Sequence, residues 1–261
     1  MHTWRLALSS ALIAFSAACT EGPNLFTIED DVELGQQLRD EINSDPDTYP
    51  VVAREDAPGA YDELERMMNA VLDSGEVELA DEFEWEIALI DDDKTLNAFA
   101  APGGYIWVYS GLMRFLEVED DFVGVLGHEI AHADQRHGTD TLTRRYGEAV
   151  LLELLFGEDP GLIAELAAGL TELNFSRNQE AEADEYSVIY LCATNYAANG
   201  AAGFFEQLLE EGTAGVPEFL STHPASDSRV EDINLLATER GCSTELNPTV
   251  PSWASVLATL P

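Results

Sequence analysis

The sequence predicts a mostly helical α+β fold with a small β-sheet and one helix that carries the chemistry. Three observations predict it. Apolar residues recur at helical spacing in several separate segments, only two short runs read as strands, and one predicted helix concentrates histidine. No internal repeat is visible, so the elements are expected to pack as one domain around one core. With 261 residues, 46% of them hydrophobic, the chain can bury such a core.

At the N-terminus, Arg5 precedes an apolar run from Leu6 to Phe15, and Ser16, Ala17 and Ala18 lead into Cys19. The run is shorter than the roughly 20 residues a permanent membrane span needs. Residues 1–18 therefore read as a secretory signal peptide. Cys19, after small residues, matches the position that bacterial lipoproteins lipidate, although Ser16 stands where that pattern prefers Leu. The other reading is ordinary signal cleavage with Cys19 as a bystander. Residues 19–29 then form a tether. The expected location is the periplasm, with an outer-membrane anchor through Cys19.

The domain is expected over residues 30–240. Val32, Leu34, Leu38 and Ile42 make one face of a helix from Asp30 to Ile42, which "NSDPDTYP" breaks. Leu64, Met67, Met68 and Val71 do the same for Tyr61 to Leu72. Trp85 to Ile90 and Tyr105 to Tyr109 read as strands, the second preceded by Pro102-Gly103-Gly104. Tyr105 to Tyr109 could be an exposed edge that takes up extended peptide, or an ordinary buried strand carrying Ile106 and Val108. Glu117, Glu119, Asp120 and Asp121 sit where a helix N-terminus favours negative charge, opening a helix from about Asp120 to Arg136. Apolar runs from Ala149 to Phe156 and Leu162 to Leu173 flank "GEDPG". Helices follow from Gln179 to about Ala193, from Phe204, and from Arg229 to Thr238. Residues 241–261 form a tail packed on the domain.

Fifty acidic residues face 12 basic ones, Lys94 being the only lysine, for a net charge of −38. Such a surface repels nucleic acid and anionic lipid, so neither is expected as a partner, and membrane contact is confined to the N-terminal anchor. The acidity suits high or variable salt, or it reflects genomic drift. If Cys19 carries lipid, Cys192 and Cys242 remain as an even pair that an oxidising compartment could join. Two buried free thiols are the alternative.

The chemistry concentrates in "VLGHEIAHADQRHG", which places three of the chain's five histidines within ten positions. His128-Glu129-Ile130-Ala131-His132 is H-E-x-x-H. Positions i and i+4 share a helix face, so both imidazoles can reach one zinc ion, with Glu129 beside them to take a proton from the attacking water. Catalytic zinc usually holds a third side chain. A class that supplies a histidine six residues after the second motif histidine, following a Gly, is excluded, because Gln135 and Gly138 stand at those positions. Downstream, "SRNQEAEAD" contains Glu180 and Asp184 in E-x-x-x-D, both on one helical face. Glu180 can bind the ion while Asp184 accepts a hydrogen bond from a ligand imidazole. An acidic solvated helix face is the plainer account of that pair. Glu182 points some 160° away from Glu180 and is left out. His137, nine residues after His128, points away from the same face and reads as structural.

"VLGHEIAHADQRHG", "SRNQEAEAD", "THPASDSR" and "NAFAAPGGYIWVYSGLM" together resemble the HtpX-like, CAAX-prenyl-protease-like zinc metallopeptidases. The resemblance spans roughly Asp30 to Arg240 and is nearest to a compact periplasmic lipoprotein branch. It implies a zincin-like fold with one zinc ion per chain, held by His128, His132 and Glu180, and Glu129 as general base and acid. It also implies that His223, in T-H-P, stabilises the oxyanion or occupies the open metal position and keeps the enzyme latent. Arg229 would brace the site through a carboxylate. The implied function is cleavage of unfolded or misassembled envelope proteins. A chaperone whose zinc is permanently capped, and a hydrolase of non-peptide amides, are the alternatives.

Overall fold

The structure, a computed structural model, describes residue 24 and residues 26–147, 150, 160–211, 218–224, 228–249 and 251–261. The expected signal peptide, Cys19 and nearly all of the Ala149 to Phe156 run lie outside them.

Helix α1 spans Ile28–Ser44 and opens on a capping box, in which the Thr27 hydroxyl accepts from the Asp30 amide and the Asp30 carboxylate accepts from the Thr27 amide. Its buried stripe is Leu34, Leu38 and Ile42. Phe26, in the stretch assigned to a tether, is already buried in the domain. Helix α2, Pro58–Leu72, starts on proline, whose missing amide costs nothing at a first helical position.

Three strands follow: β1, Glu86–Ile90; β2, Ala98–Ala101; and β3, Tyr105–Tyr109. Their order is β1-β3-β2, with β3 parallel to β1 and antiparallel to β2. Tyr105 to Tyr109 is therefore the central strand and not an edge, since both of its ladders are taken. The sheet is buried on both faces, so its alternation sorts side chains into two hydrophobic clusters instead of the single core expected. Ile87, Leu89, Ala98, Ala100, Ile106 and Val108 face α2 and several later helices. Ala88, Ile90, Phe99, Tyr105, Trp107 and Tyr109 face α1 and a later helix. Phe99 stacks on Trp107 across the β2–β3 ladder, with centroids 5.1 Å apart.

After a short helix α3, Ser110–Phe115, comes α4, Glu119–Asp134, which runs through the middle of the molecule. Its first turn is acidic, and Glu119 and Asp120 are buried there, each accepting hydrogen bonds, although Glu119 Oε2 accepts none. Asp120 accepts the amides of Ala197 at 2.8 Å and Asn247 at 3.0 Å, and Glu119 accepts from Arg66 at 2.8 Å and the Tyr196 hydroxyl at 2.7 Å. At the other end Asp134 accepts from Tyr190 at 2.6 Å and the Leu79 amide at 2.7 Å. Both ends of the helix are thus held by hydrogen-bonded carboxylates.

Later helices include α5, His137–Tyr146; α6, Pro160–Leu170; α7, Arg177–Cys192; α8, Gly200–Glu211; α9, Glu218–Thr222; α10, Arg229–Arg240; and α11, Trp253–Leu257. Helix α6 covers the second sheet face with Ile163, Leu166 and Leu170. Helices α7 and α8 pack on α4. The α8 contact is so close that a Cβ on Gly124 would fall 2.0 Å from the Ala201 amide nitrogen. A disulfide joins Cys192, at the end of α7, to Cys242 just past α10, with Cα atoms 5.0 Å apart. The C-terminal residues pack on the domain, where Trp253 donates its indole hydrogen to the Leu116 carbonyl at 2.7 Å. No helix among the described residues is long and apolar enough to cross a membrane.

Candidate metal centre

His128 and His132 lie on α4 one turn apart, and their rings meet edge to face with centroids 4.6 Å apart. Helix α7 crosses α4 and presents Glu180 and Asp184 from a single face. It opens on its own capping box, with Ser176 and Gln179 bonding each other's backbone, which sets Glu180 in the first turn. His223 follows α9 and arrives from a third direction, its ring stacked on Phe219 one turn back at 4.4 Å.

Four donor atoms converge, one each from His128, His132, Glu180 and His223, all within 4.8 Å of one another. His128 Nε2 lies 3.0 Å from His132 Nε2 and 3.3 Å from His223 Nδ1. Glu180 Oε1 lies 3.0 Å from His223 Nδ1 and 3.4 Å from His132 Nε2. A tetrahedral zinc site with ordinary Zn–N bonds has donor–donor edges of about 3.3 Å. The separations and the His/Glu chemistry fit zinc. Every one of these side chains is buried, as is Glu129.

The electrostatics follow from that burial. Desolvation opposes charge on Glu180, yet His223, His128 and His132 outweigh it and hold the carboxyl far below its usual range. For Asp184 burial is again opposed, here by Arg229 and then His128, and the group stays ionised. Glu129 goes the other way: burial, the largest cause, raises its pKa despite the nearby histidines. Neither of its carboxylate oxygens has a hydrogen-bond partner, and Oε1 lies 3.4 Å from His223 Nε2. A buried carboxylate left so bare is suited to taking up a proton.

Around the donors stand groups that orient them. Asp184 Oδ1 lies 2.9 Å from His128 Nδ1, and Arg229 forks onto Asp184 while its Nη1 pairs with Glu180 Oε2 at 2.9 Å. Phe175 stacks on His132 with centroids 4.0 Å apart. His137 does not point away. The helix expected to run to Arg136 stops at Asp134, and Arg136 takes φ 58°, the positive-φ conformation found in no other non-glycine among the described residues. That turn starts α5 and swings His137 back until its Nδ1 lies 2.9 Å from His132 Nδ1. Burial first, then His128, pushes His137 down to about 4, so its ring is neutral. Glu182, set aside because it cannot face the ion, reaches His137 Nε2 at 3.3 Å.

The structure thus brings together His128, Glu129, His132, Glu180, Asp184, His223 and Arg229. The sequence reading missed Phe175, Phe219, Glu182 and the closeness of His137. For His137 a signal existed, since the chain holds five histidines and it lies five positions after His132. For the two phenylalanines none did.

Comparison with known proteins agrees with this geometry. The chain is 32% identical over 146 residues to the mitochondrial metalloendopeptidase OMA1 of Arabidopsis thaliana, covering 56% of this chain and 30% of that protein. It is 31% identical over 155 residues to a putative beta-barrel assembly-enhancing protease of Vibrio cholerae, covering 54% and 32%. OMA1 of Schizosaccharomyces pombe matches at 34% over 158 residues, covering 58% and 46%. The chain therefore spans a third to a half of the length of these curated relatives. Residues 59–237, more than half the chain and the whole of the donor cluster, match the model of peptidase family M48, a family of zinc metallopeptidases. The chain belongs to peptidase family M48.

Proposed function

We propose that this protein is a zinc-dependent endopeptidase acting on unfolded or misassembled polypeptides of the bacterial envelope. The observation that carries the reading is Glu129, buried and without a hydrogen-bond partner, between two histidines whose Nε2 atoms converge with Glu180. His128, His132 and Glu180 would hold the ion, which when bound supplies Lewis-acid polarisation of a carbonyl and of water. Glu129 takes the proton of the attacking water and returns it to the leaving amine, a role its raised pKa serves. Asp184 and Arg229 keep His128 in place. A cavity of about 760 Å³ lies beside Phe175, the residue whose ring stacks on His132, with Gln179 and Ser221 also in its wall.

The substrate class rests on relatives named as beta-barrel assembly-enhancing proteases, and export rests on the N-terminal sequence with its candidate lipid site at Cys19. A second reading is supported by His223, whose Nδ1 stands among the donor atoms. In it His223 is the fourth ligand and holds the site shut until displaced.

The test uses protein from residue 20 onward, loaded with zinc and incubated with unfolded casein. The Glu129→Gln variant should keep its zinc and lose about 10²–10⁴ in rate. If the parent binds zinc and casein survives, cleavage appearing in His223→Ala identifies a latched enzyme. Silence in both variants and parent rejects the peptidase reading in favour of a chaperone.

A further inference from the structure

We propose that His137 and Glu182 are positioning residues that hold His132 in the tautomer and orientation of a metal ligand. The inference rests on the metal-centre reading above and extends it to two residues outside the donor cluster. His132 turns Nε2 toward the donors, 3.0 Å from His128 Nε2, and Nδ1 toward His137 Nδ1 at 2.9 Å. Two ring nitrogens this close need one hydrogen between them. A ligand that binds through Nε2 keeps its hydrogen on Nδ1, so His132 donates and His137 Nδ1 accepts. With Nδ1 accepting, the His137 ring carries its hydrogen on Nε2, where Glu182 Oε2, 3.3 Å away, accepts it. One choice at the ion settles every proton out to the surface.

The arrangement parallels the other ligand histidine, where Asp184 meets His128 Nδ1 at 2.9 Å. In both cases a carboxylate of α7 ends the chain, reaching His128 directly and His132 through a second imidazole. The backbone is bent to make this contact. Arg136 holds its left-handed conformation while its guanidinium is tied to the buried Asp31 and to the Thr27 carbonyl at 3.0 Å. Without that turn α4 would continue and His137 would leave the site. A side chain that only filled space there would need no such bend, and an apolar ring would serve as well.

That contrast is the test. Zinc dissociation constants are measured by chelator competition on protein from residue 20 onward, for the parent, His137→Phe, His137→Asn and Glu182→Ala. His137→Phe should weaken zinc binding about 10- to 100-fold. His137→Asn, whose amide oxygen can stand in for the accepting nitrogen, should recover most of the loss. Glu182→Ala should weaken binding by a smaller factor. In nitrogen-15 spectra of the zinc-loaded parent, His132 should carry its hydrogen on Nδ1. If His137→Phe fails to fold, Glu182→Ala and the spectrum decide. Unchanged affinity in the folded variants, or a hydrogen elsewhere on His132, overturns the positioning role and leaves the peptidase reading standing. A parent that binds no zinc overturns both.

Discussion

Arg229 and Asp184 form a buried two-pronged ion pair, Nε to Oδ2 at 2.6 Å and Nη2 to Oδ1 at 2.8 Å. The planar guanidinium matches the carboxylate fork, and a lysine could not. Arg229 also neutralises Glu180, so one cation serves two buried carboxylates. Its carbon lies over the Phe205 ring at 4.3 Å, which leaves water little access.

Removing that cation strands both acids. Arg229→Met keeps most of the volume and should cost about 3–5 kcal/mol of stability, the usual penalty for an unpaired buried charge. Pairing it with Asp184→Leu should recover part of the loss. Urea unfolding in the presence of chelator reads both, and a single variant as stable as the parent would mean the acids find another partner.

Asp121 gives a stability that depends on pH. Burial, then the charges of Asp120, Glu206 and Glu117, raise its pKa from 3.8 to about 7. The folded chain thus holds a proton that the unfolded chain has released. This contribution is complete below about pH 4 and is lost as pH rises through 7. Asp121→Asn should gain about 2 kcal/mol at pH 8, a figure discounted for the partial exposure of the group, and almost nothing at pH 4. Urea midpoints at the two pH values check it; an equal gain at both would place the effect in packing, not charge.

The Cys192–Cys242 disulfide spans a sequence separation of 50. Loop-closure entropy for such a length amounts to about 4 kcal/mol, of which measured bonds commonly deliver 2–4. Replacing both cysteines by serine should lower the urea midpoint accordingly. Zinc affinity of the folded variant should not move, because Glu180 and Asp184 lie toward the opposite end of α7. Loss of affinity in a folded variant would couple the bond to the metal centre.

How legible each residue was depends on how local its geometry is. His128, Glu129 and His132 were legible because five residues of helix are enough to aim them. Glu180 and Asp184 were legible as a pair on one face, since that too is a property of a single helix. Strand β2 was missed: Ala98–Ala101 is short, buried throughout and without alternation, and it is a strand only because β3 pairs with it. His137 was misjudged because helical spacing assumes the helix continues, whereas Arg136 reverses the chain under the hold of Asp31, far away in sequence. Nothing local to Phe175 or Phe219 says that they stack on His132 and His223.

The sequence by itself determined the helical α+β class, the histidine pair on one helix and the carboxylates of a later one, because periodicity and i,i+4 spacing are intrinsic to a helix. Only the tertiary structure decided which strand lies in the middle of the sheet, that two hydrophobic clusters form on its faces, and that His137 turns back onto His132; His223 and Arg229 were expected at the site from the family resemblance, and no local pattern places them there. Those contacts join segments separated by up to about a hundred residues. Their geometry comes from the packing of α4 against α7 and the bend at Arg136, neither of which a local pattern encodes.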